Sequence, residues 1–422
     1  MNRRPLSPVD ICSHDVYEQA IPHEAFARLR RDTPVAWHPE PGGNAGFWAV
    51  TRWADLVAVH RDHETFSSQI GGTELEELER DPEAREARRT MLETDPPEHT
   101  RLRRMVSRNF TRRSIDRWTG DARRIMARVL DDALGGAGAN GAGAEVEFVG
   151  AVARRLPILM ISRILGVPDG DTGSLFEWAD RIIYHADPDY SEVVFDKEDT
   201  DPYRLLPFRS PTSERVFAYA RQLADGKRRH PADDVVSLLV AADELSPQNF
   251  NTLFLLLVIA GNETTRHALN SGALALAERP DELARLRADP DLLTAAVEEI
   301  LRYSSPQIHF RRTAVADTEI AGVPVAAGDK VVTWYLSANY DEGIFADPHT
   351  LDLGRDPNRH VTFGGGGPHF CLGSWLARLE VRVFLEELLA RNLRLEVCGE
   401  VTRVRSNFIN GLKRLPLHLV AA

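Results

Sequence analysis

Residues 363–373 have the sequence Phe-Gly-Gly-Gly-Gly-Pro-His-Phe-Cys-Leu-Gly, and the amphipathic pattern of a helix follows at once from Ser374. Four consecutive glycines allow positive φ angles and a close approach of the backbone to a flat group. Cys371 then lies at the N-terminus of the predicted helix, where unpaired backbone N–H groups and the helix dipole favour a thiolate over a thiol. Because a thiolate is a soft ligand, the segment predicts a site for a metal such as iron.

Three other kinds of site do not fit this spacing. A phosphate-binding loop ends in Gly-Lys-Ser/Thr, but Gly373 is followed directly by Ser374. A dinucleotide-binding loop needs a third glycine where His369 or Phe370 stands. A zinc site needs four ligands, and no second cysteine pair lies near Cys371. A glycine-rich turn around an inert buried cysteine is the remaining alternative, and it leaves the order of the residues unexplained.

The segment resembles the heme-thiolate loop of the cytochrome P-450 family, whose pattern is Phe-Gly-x-Gly-x-His/Arg-x-Cys-x-Gly. Phe363 stands one residue further from the cysteine than in the general pattern, as in an actinobacterial branch of the family. The resemblance implies heme b (iron protoporphyrin IX) with the Cys371 thiolate as the ligand of the metal. It also implies that four further residues of the loop bind the cofactor: Phe363, Gly364, His369 and Gly373.

A second motif, Ala260-Gly-Asn-Glu-Thr-Thr-Arg266, lies within the longest predicted helix. Its two small residues leave room for a group against the backbone. The Thr264 hydroxyl is placed to bond the carbonyl of Ala260 and to distort the helix locally. By itself the motif also fits a helix that turns a polar face to solvent.

This motif is similar to the oxygen-activation sequence of the same family. The similarity implies that Ala260 and Gly261 lie against the heme. It also implies that Thr264 holds dioxygen and a water molecule, and that Glu263 relays protons from solvent.

Heme propionates are anionic and need cationic partners when they are buried. By their motifs, four residues resemble the propionate-binding positions of the family: His99, Arg103, Arg312 and His369. Arg311 is the alternative to its neighbour Arg312.

Glu299 and Arg302 stand three residues apart on a predicted helix, a spacing that usually marks a surface ion pair. Upstream of the cysteine loop, however, they resemble the Glu-x-x-Arg element of the family. The resemblance implies that the pair joins Arg355 and serves folding and heme retention rather than chemistry.

The composition is that of an ordinary globular protein, with 422 residues, 43% hydrophobic and 27% charged. It excludes a disordered, collagen-like or disulfide-rich chain. A net charge of −12 disfavours nucleic acid and anionic membranes as partners. Only three cysteines, no apolar leader after Met1 and no apolar run of about 18 residues indicate a soluble cytoplasmic protein. Because the resemblance extends over essentially the whole chain, we expect a single heme domain over residues 1–422.

Hydrophobic periodicity predicts a mainly α fold with small antiparallel β-sheets, and the resemblance implies the triangular helical body of cytochrome P-450 around a buried heme. The predicted helices cover residues 23–31, 54–61, 98–110, 121–134, 151–165, 213–228, 247–278, 280–288, 292–303 and 372–391. The predicted strands cover residues 35–37, 47–50, 146–149, 319–320, 323–325 and 330–335. Residues 185–212 show no period and predict a mobile surface loop over the substrate, and the Gly/Ala-rich residues 135–144 predict a surface loop.

The resemblance implies a monooxygenase that inserts one oxygen atom of O2 into a C–H bond of a hydrophobic small molecule. Branch features favour a sterol-like or branched lipid; a polyketide, terpenoid or aromatic secondary metabolite is the alternative. A peroxygenase or isomerase on the same fold and a non-enzymatic heme sensor or carrier are further alternatives. Electrons are expected from NAD(P)H through a ferredoxin and a ferredoxin reductase. Six arginines around one helix predict an acidic docking partner: Arg101, Arg103, Arg104, Arg108, Arg112 and Arg113.

Overall fold

A computed structural model describes residues 5–40, 44–77, 80–135, 143–242 and 244–421. Helices dominate this part of the chain. The α-helices are α1 His14–Gln19, α2 His23–Asp32, α3 Trp53–Arg61, α4 Pro82–Arg88, α5 Glu98–Ser107, α6 Arg112–Asp116, α7 Thr119–Gly135, α8 Arg155–Leu165, α9 Thr172–Ile183, α10 Thr212–Arg229, α11 Val235–Ala242, α12 Pro247–Glu278, α13 Pro280–Ala288, α14 Leu293–Ser304, α15 Tyr335–Ala338 and α16 Ser374–Ala390. The described helices include none that is long and apolar enough to cross a bilayer.

The strands form small sheets at the edge of the helical body. They are β1 Val35–His38, β2 Phe47–Val50, β3 Phe66–Ser67, β4 Ala144–Glu147, β5 His309–Ala314, β6 Thr318–Ile320, β7 Val323–Val325, β8 Lys330–Trp334, β9 Leu393–Val397, β10 Thr402–Arg403, β11 Leu412–Arg414 and β12 Pro416–Ala421. The largest sheet has the order β1-β2-β8-β5-β3, and a second has the order β4-β12-β9. Pairing is antiparallel except between β2 and β8, where Trp48 lies opposite Val331 in parallel register.

Helix α12 passes through the centre of the protein. Ser246 caps it by accepting a hydrogen bond from the backbone N–H of Asn249, and Pro247 occupies the first helical position, where a missing N–H costs nothing. The helix packs against α8, α10 and α14. Because protein surrounds it on most sides, apolar residues cover most of its circumference rather than a single stripe.

The long helices lie within three residues of their predicted bounds except at the start of α8, where a π-helical turn, Val149–Ala153, precedes Arg155. The strand predicted over residues 146–149 is shifted and spans Ala144–Glu147, because its partner β12 pairs with it there. Helices α9 and α11 and strands β5, β9 and β12 were not predicted. The predicted loop over residues 135–144 lies largely outside the described residues.

The prediction of a mobile surface loop at residues 185–212 was wrong in part. Asp187 in this segment is fully buried. It accepts hydrogen bonds from the backbone N–H of Arg405 at 2.8 Å and from Lys413 Nζ at 2.9 Å, while the Arg405 guanidinium binds Asp196. Residues more than 200 positions away hold the segment in place, and no local pattern could indicate this.

The predicted Glu-x-x-Arg element is confirmed as a buried structural network. Glu299 and Arg302 have no exposed side-chain surface and form an ion pair at 2.8 Å. Arg355 joins Glu299 at 3.1 Å. Arg302 also donates to the carbonyls of Asn339 and Pro348, so the pair connects α14 to the segment that leads into the cysteine loop.

We expect Glu299→Gln to lower the free energy of unfolding by about 3–5 kcal/mol, because it leaves the Arg302 charge buried without full compensation. The matched control is Glu98→Gln. Glu98 forms an (i, i+3) pair with Arg101 in which both side chains are 40% exposed, so its loss is expected to cost at most about 0.5 kcal/mol. Denaturant unfolding measures both values; equal losses in the two variants would contradict the role given to burial.

Candidate functional site

The cysteine loop has the backbone that its glycines predict. Gly364, Gly366 and Gly367 have φ angles of 98°, 101° and 74°. A Cβ atom on Gly367 would lie 2.3 Å from the backbone oxygen of His60, so the loop also needs glycine for its close contact with α3. The N–H of Cys371 donates to the carbonyl of Phe363 at 2.9 Å, which closes the loop.

Cys371 and the α12 motif line the same internal cavity. The residues that the sequence predicted and that lie in the cavity wall are His99, Arg103, Ala260, Gly261, Glu263, Thr264, Arg312, Phe363, Gly364, His369, Cys371 and Gly373. All twelve candidate residues are therefore brought together, from four separate parts of the chain.

The expected thiolate at Cys371 is opposed by burial. Desolvation raises the pKa of this thiol. The backbone N–H of Gly373 and the charges of Arg103 and Arg378 lower it, but by less. In the protein by itself the thiol therefore keeps its proton, and a bound cation is needed to convert it to a thiolate.

The hydrogen bond predicted for Thr264 is present, since its hydroxyl donates to the carbonyl of Ala260 at 3.0 Å. The predicted local distortion is absent: α12 is continuous from Pro247 to Glu278. Gly261, which lies in the cavity wall, also contacts α8, because a Cβ there would lie 2.8 Å from Cγ1 of Ile161. Gly261 thus permits close helix packing, and Ala260 presents the small exposed surface to the cavity.

Glu263 takes part in a buried polar network. Its side chain is 1% exposed and accepts hydrogen bonds from Arg266, Tyr184 and Asn262. Arg266 also binds Asp180 at 2.9 Å. One guanidinium thus faces two carboxyl groups, and burial raises the pKa of Glu263 well above its usual value. The three donors hold the carboxyl group in a fixed position at the cavity wall.

Two arginines bring positive charge to one part of the cavity. Arg312 is 4% exposed, and neither it nor Arg103 has a carboxylate within ion-pair distance among the described residues. Arg103 donates to the carbonyl of Phe370 at 2.6 Å, beside the cysteine. Arg311, the alternative, instead donates to the backbone carbonyl of Glu76 and is absent from the cavity wall.

Two histidines lie beside these arginines. The rings of His99 and His369 are 4.1 Å apart between centroids. Burial lowers the pKa of His99 to about 4 and that of His369 further, so both are neutral at pH 7. The Nδ1 atom of His99 is buried and has no hydrogen-bond partner among the described residues.

These groups fit a heme. The buried Arg312, the half-buried Arg103 and the unpaired Nδ1 of His99 suit two propionates, which supply negative charge and hydrogen-bond acceptors. The Cys371 thiol in the wall of the same cavity suits the iron.

Other residues of the cavity wall carried no sequence signal. Most are isolated apolar side chains from helices, loops and a strand: Met91, Leu92, Phe110, Ile161, Ile183, Phe208, Phe310, Phe408 and Ile409. Phe208 belongs to the segment 185–212, so that segment does reach the cavity. Thr73, Glu74 and Glu93 add polar groups. A single apolar residue in a loop does not differ in type from a core residue, and only the folded chain assigns it to the cavity.

The other two cysteines lie elsewhere. Cys398 follows β9, close to Glu145 and His418, and Cys12 lies near the N-terminal end of the chain; neither lines this cavity. Among the six arginines of the predicted docking surface, Arg104, Arg108, Arg112 and Arg113 are exposed. Arg103 lies in the cavity wall and Arg101 pairs with Glu98. These two arginines are therefore not part of the exposed docking surface.

The chain is similar in sequence and in structure to known proteins. The family described as Cytochrome P450 matches residues 212–417. A methyl-branched lipid omega-hydroxylase of Mycobacterium tuberculosis is 38% identical over 98% of this chain and 95% of its own length. A steroid C26-monooxygenase of Rhodococcus jostii is 36% identical over 96% of this chain and 83% of its own. A solved Mycobacterium marinum cytochrome P450 in complex with pseudoionone superposes with a TM-score of 0.86 at 36% identity, covering 99% of this chain and all of that one. The predicted fold class is confirmed.

Proposed function

Because this chain belongs to the cytochrome P450 family, we propose that Cys371 is the thiolate ligand of its heme and that the cavity described above is the active site. The protein is an oxidoreductase, a heme-dependent monooxygenase. When bound, the heme supplies the activation of O2, with two electrons taken up, one oxygen atom inserted into a C–H bond and the other released as water.

The observation that carries the ligand assignment is the position of Cys371. It alone of the three cysteines lines the cavity that also contains Thr264 and the unpaired arginines. The neighbouring loop backbone is closed by the Cys371–Phe363 hydrogen bond, which holds the sulfur in place. Cys398 is on the outer sheet and has no access to this cavity wall.

The cationic groups have a separate role. We propose that Arg103 and Arg312 pair with the propionates and that His99 and His369 donate hydrogen bonds to them. The burial of Arg312 and His99 supports this, because a buried guanidinium without an anion is costly and binding of the cofactor removes the cost.

We propose that Thr264 positions water by hydrogen bonding and that Glu263 delivers protons. The Thr264 hydroxyl bonds Ala260, remains in the cavity wall and can accept a hydrogen bond while donating its own. Glu263 is proposed to hold a proton for delivery, with Tyr184 and Arg266 keeping its side chain oriented. Delivery of protons at this wall favours water over hydrogen peroxide as the reduced product.

The cavity wall supports a substrate with a long apolar body and one polar group. Leu255, Leu256 and Ile259 of α12 add to the apolar loop residues. Glu74 lies in the wall as well, and burial raises its pKa to about 8, so at pH 7 it can donate a hydrogen bond. We propose a sterol-like or branched lipid that carries a hydroxyl or keto group, in agreement with the names of the two relatives.

The electron donor is proposed to be a ferredoxin with its ferredoxin reductase, fed by NAD(P)H. The exposed Arg104, Arg108, Arg112 and Arg113 supply positive charge to the docking surface. The Arg112 guanidinium lies 5.3 Å from the ring of the exposed Trp375. We further propose that residues 1–422 form one heme domain and act in the cytoplasm, where three unpaired cysteines stay reduced.

Replacement of Cys371 by serine tests the ligand. We expect Cys371→Ser to abolish the red-shifted Soret band of the reduced carbon monoxide complex, because that shift requires thiolate ligation. The matched control is Cys398→Ser, which should leave the spectrum unchanged. Loss of the band in the Cys398 variant, with retention in the Cys371 variant, would reverse the assignment.

Thr264→Ala tests the proton-handling role. We expect product formed per NAD(P)H to fall about tenfold, with a matching rise in hydrogen peroxide, because the hydroxyl that positions a proton donor is lost. Thr252→Ala is the control: its hydroxyl bonds the carbonyl four residues earlier on the same helix, at 3.1 Å, but it lies outside the cavity. Full coupling in the Thr264 variant would contradict the proposal.

Spectroscopic titration tests the substrate class. We expect a 3-keto or 3-hydroxy sterol or a branched lipid alcohol to shift the heme to high spin. Glu74→Leu should weaken these ligands about tenfold, since a hydrogen bond to a buried group is worth roughly 1.5 kcal/mol. A hydrocarbon analogue without the polar group should bind both proteins equally. Equal weakening of both ligands, or a spin shift confined to small aromatic compounds, would contradict this substrate class.

A further inference from the structure

The sheet β4-β12-β9 carries a group of side chains of metal-ligating type that lies outside the wall of the active-site cavity. Glu145 is on β4, His418 is on β12, and Cys398 follows directly after β9. One oxygen of Glu145, one ring nitrogen of His418 and the sulfur of Cys398 all lie within 4.8 Å of one another. Each strand of the sheet therefore contributes one donor.

The register of the sheet brings these side chains to one face. His418 stands directly opposite Glu145 on one side and Glu396 on the other. Cys398 is two residues beyond Glu396, so its side chain points to the same face. The N–H of Cys398 donates to the carbonyl of Pro416 at 3.1 Å, which extends the pairing beyond the end of β9 and fixes the backbone at the cysteine.

We propose that Glu145, Cys398 and His418 form a zinc site, with water as the fourth ligand. In a tetrahedral zinc site with bonds of about 2.0–2.3 Å, donor atoms lie roughly 3.3–3.8 Å apart. Nε2 of His418 is 3.7 Å from the Glu145 carboxylate oxygen, so this pair already has the required separation. Because no two of the three donor atoms are more than 4.8 Å apart, no pair needs to close by more than about 1.5 Å. Side-chain rotation is the movement that would close it.

The donor set selects the metal. A thiolate with an imidazole and a carboxylate is typical of zinc, whereas calcium and magnesium prefer oxygen donors alone. The nearby cation Arg394 is paired with Glu396 at 3.0 Å, so it leaves the Glu145 carboxylate available. On binding, the S–H bond of Cys398 breaks, a sulfur–zinc bond forms and the proton passes to solvent; no oxidation or reduction takes place.

A metal bound at this site would connect three strands of the sheet, of which β4 is distant in sequence from the other two. Strand β12 lies between β4 and β9 and ends at Ala421. A metal bound by one residue from each strand joins the end of the chain to a strand formed some 270 residues earlier. Metal binding would therefore stabilise this sheet and leave the chemistry in the heme cavity unchanged.

Zinc binding to the purified heme-loaded protein tests the proposal. After equilibrium dialysis against buffered zinc chloride, we expect about one zinc per heme with a Kd of about 10 µM or tighter. Cys398→Ser and His418→Gln should each weaken binding at least tenfold. Cys12→Ser, which removes another unpaired cysteine, should leave it unchanged. The heme absorption spectrum of each variant reports that the fold is retained.

X-ray absorption at the zinc edge gives a second readout, in which one sulfur neighbour at about 2.3 Å is expected. Affinity should also rise with pH, because a proton is released on binding. A Kd weaker than this limit, binding that Cys398→Ser does not affect, or a zinc environment without sulfur would each overturn the proposal. None of these results bears on the assignment of Cys371, which the carbon monoxide spectrum tests separately.

Discussion

The buried ion pair between Glu299 and Arg302 is the interaction on which the rest of the site depends. Both side chains are fully removed from water, so each charge requires the other and the hydrogen bonds that surround them. Arg302 binds the carbonyl of Asn339, and the Asn339 side chain in turn accepts a hydrogen bond from the N–H of Val361 at 2.7 Å and donates to Thr362. The cysteine loop begins at the next residue. A helix more than 60 residues upstream thus sets the position of the loop backbone.

The cost of burying unpaired charge also explains why the cavity binds heme. The arginines lack acidic partners, and the cysteine lacks a cation that would stabilise its thiolate. Burying each of these groups without a partner of opposite charge costs free energy. A cofactor that combines a metal with two carboxylates supplies a partner to all of them. The unfavourable electrostatics of the protein by itself and the affinity for heme are therefore two aspects of one arrangement.

Helix α12 separates two environments along its length. At Thr264 and Glu263 it carries polar groups, and about one to two and a half turns earlier, at Leu255, Leu256 and Ile259, it is apolar. The apolar substrate wall and the proposed proton supply thus lie on one rigid element. The close contact of Gly261 with Ile161 keeps this helix against α8, so the glycine serves helix packing as well as the cavity wall.

The amino-acid sequence by itself determined the local features. Glycine positions with positive φ, the cap and the ends of α12, and the i→i−4 bond of Thr264 all depend on neighbours within a few residues, so their patterns were sufficient. Motifs also indicated which residues meet at the cavity, although spacing could not separate Arg311 from Arg312. Only the alternation of β5 in the folded sheet turns one of them to the cavity and its neighbour away. The tertiary structure alone decided the apolar wall, the anchoring of residues 185–212 by Arg405, and the meeting of Glu145, Cys398 and His418. These depend on contacts across hundreds of residues, which burial and strand register create and which no local pattern records.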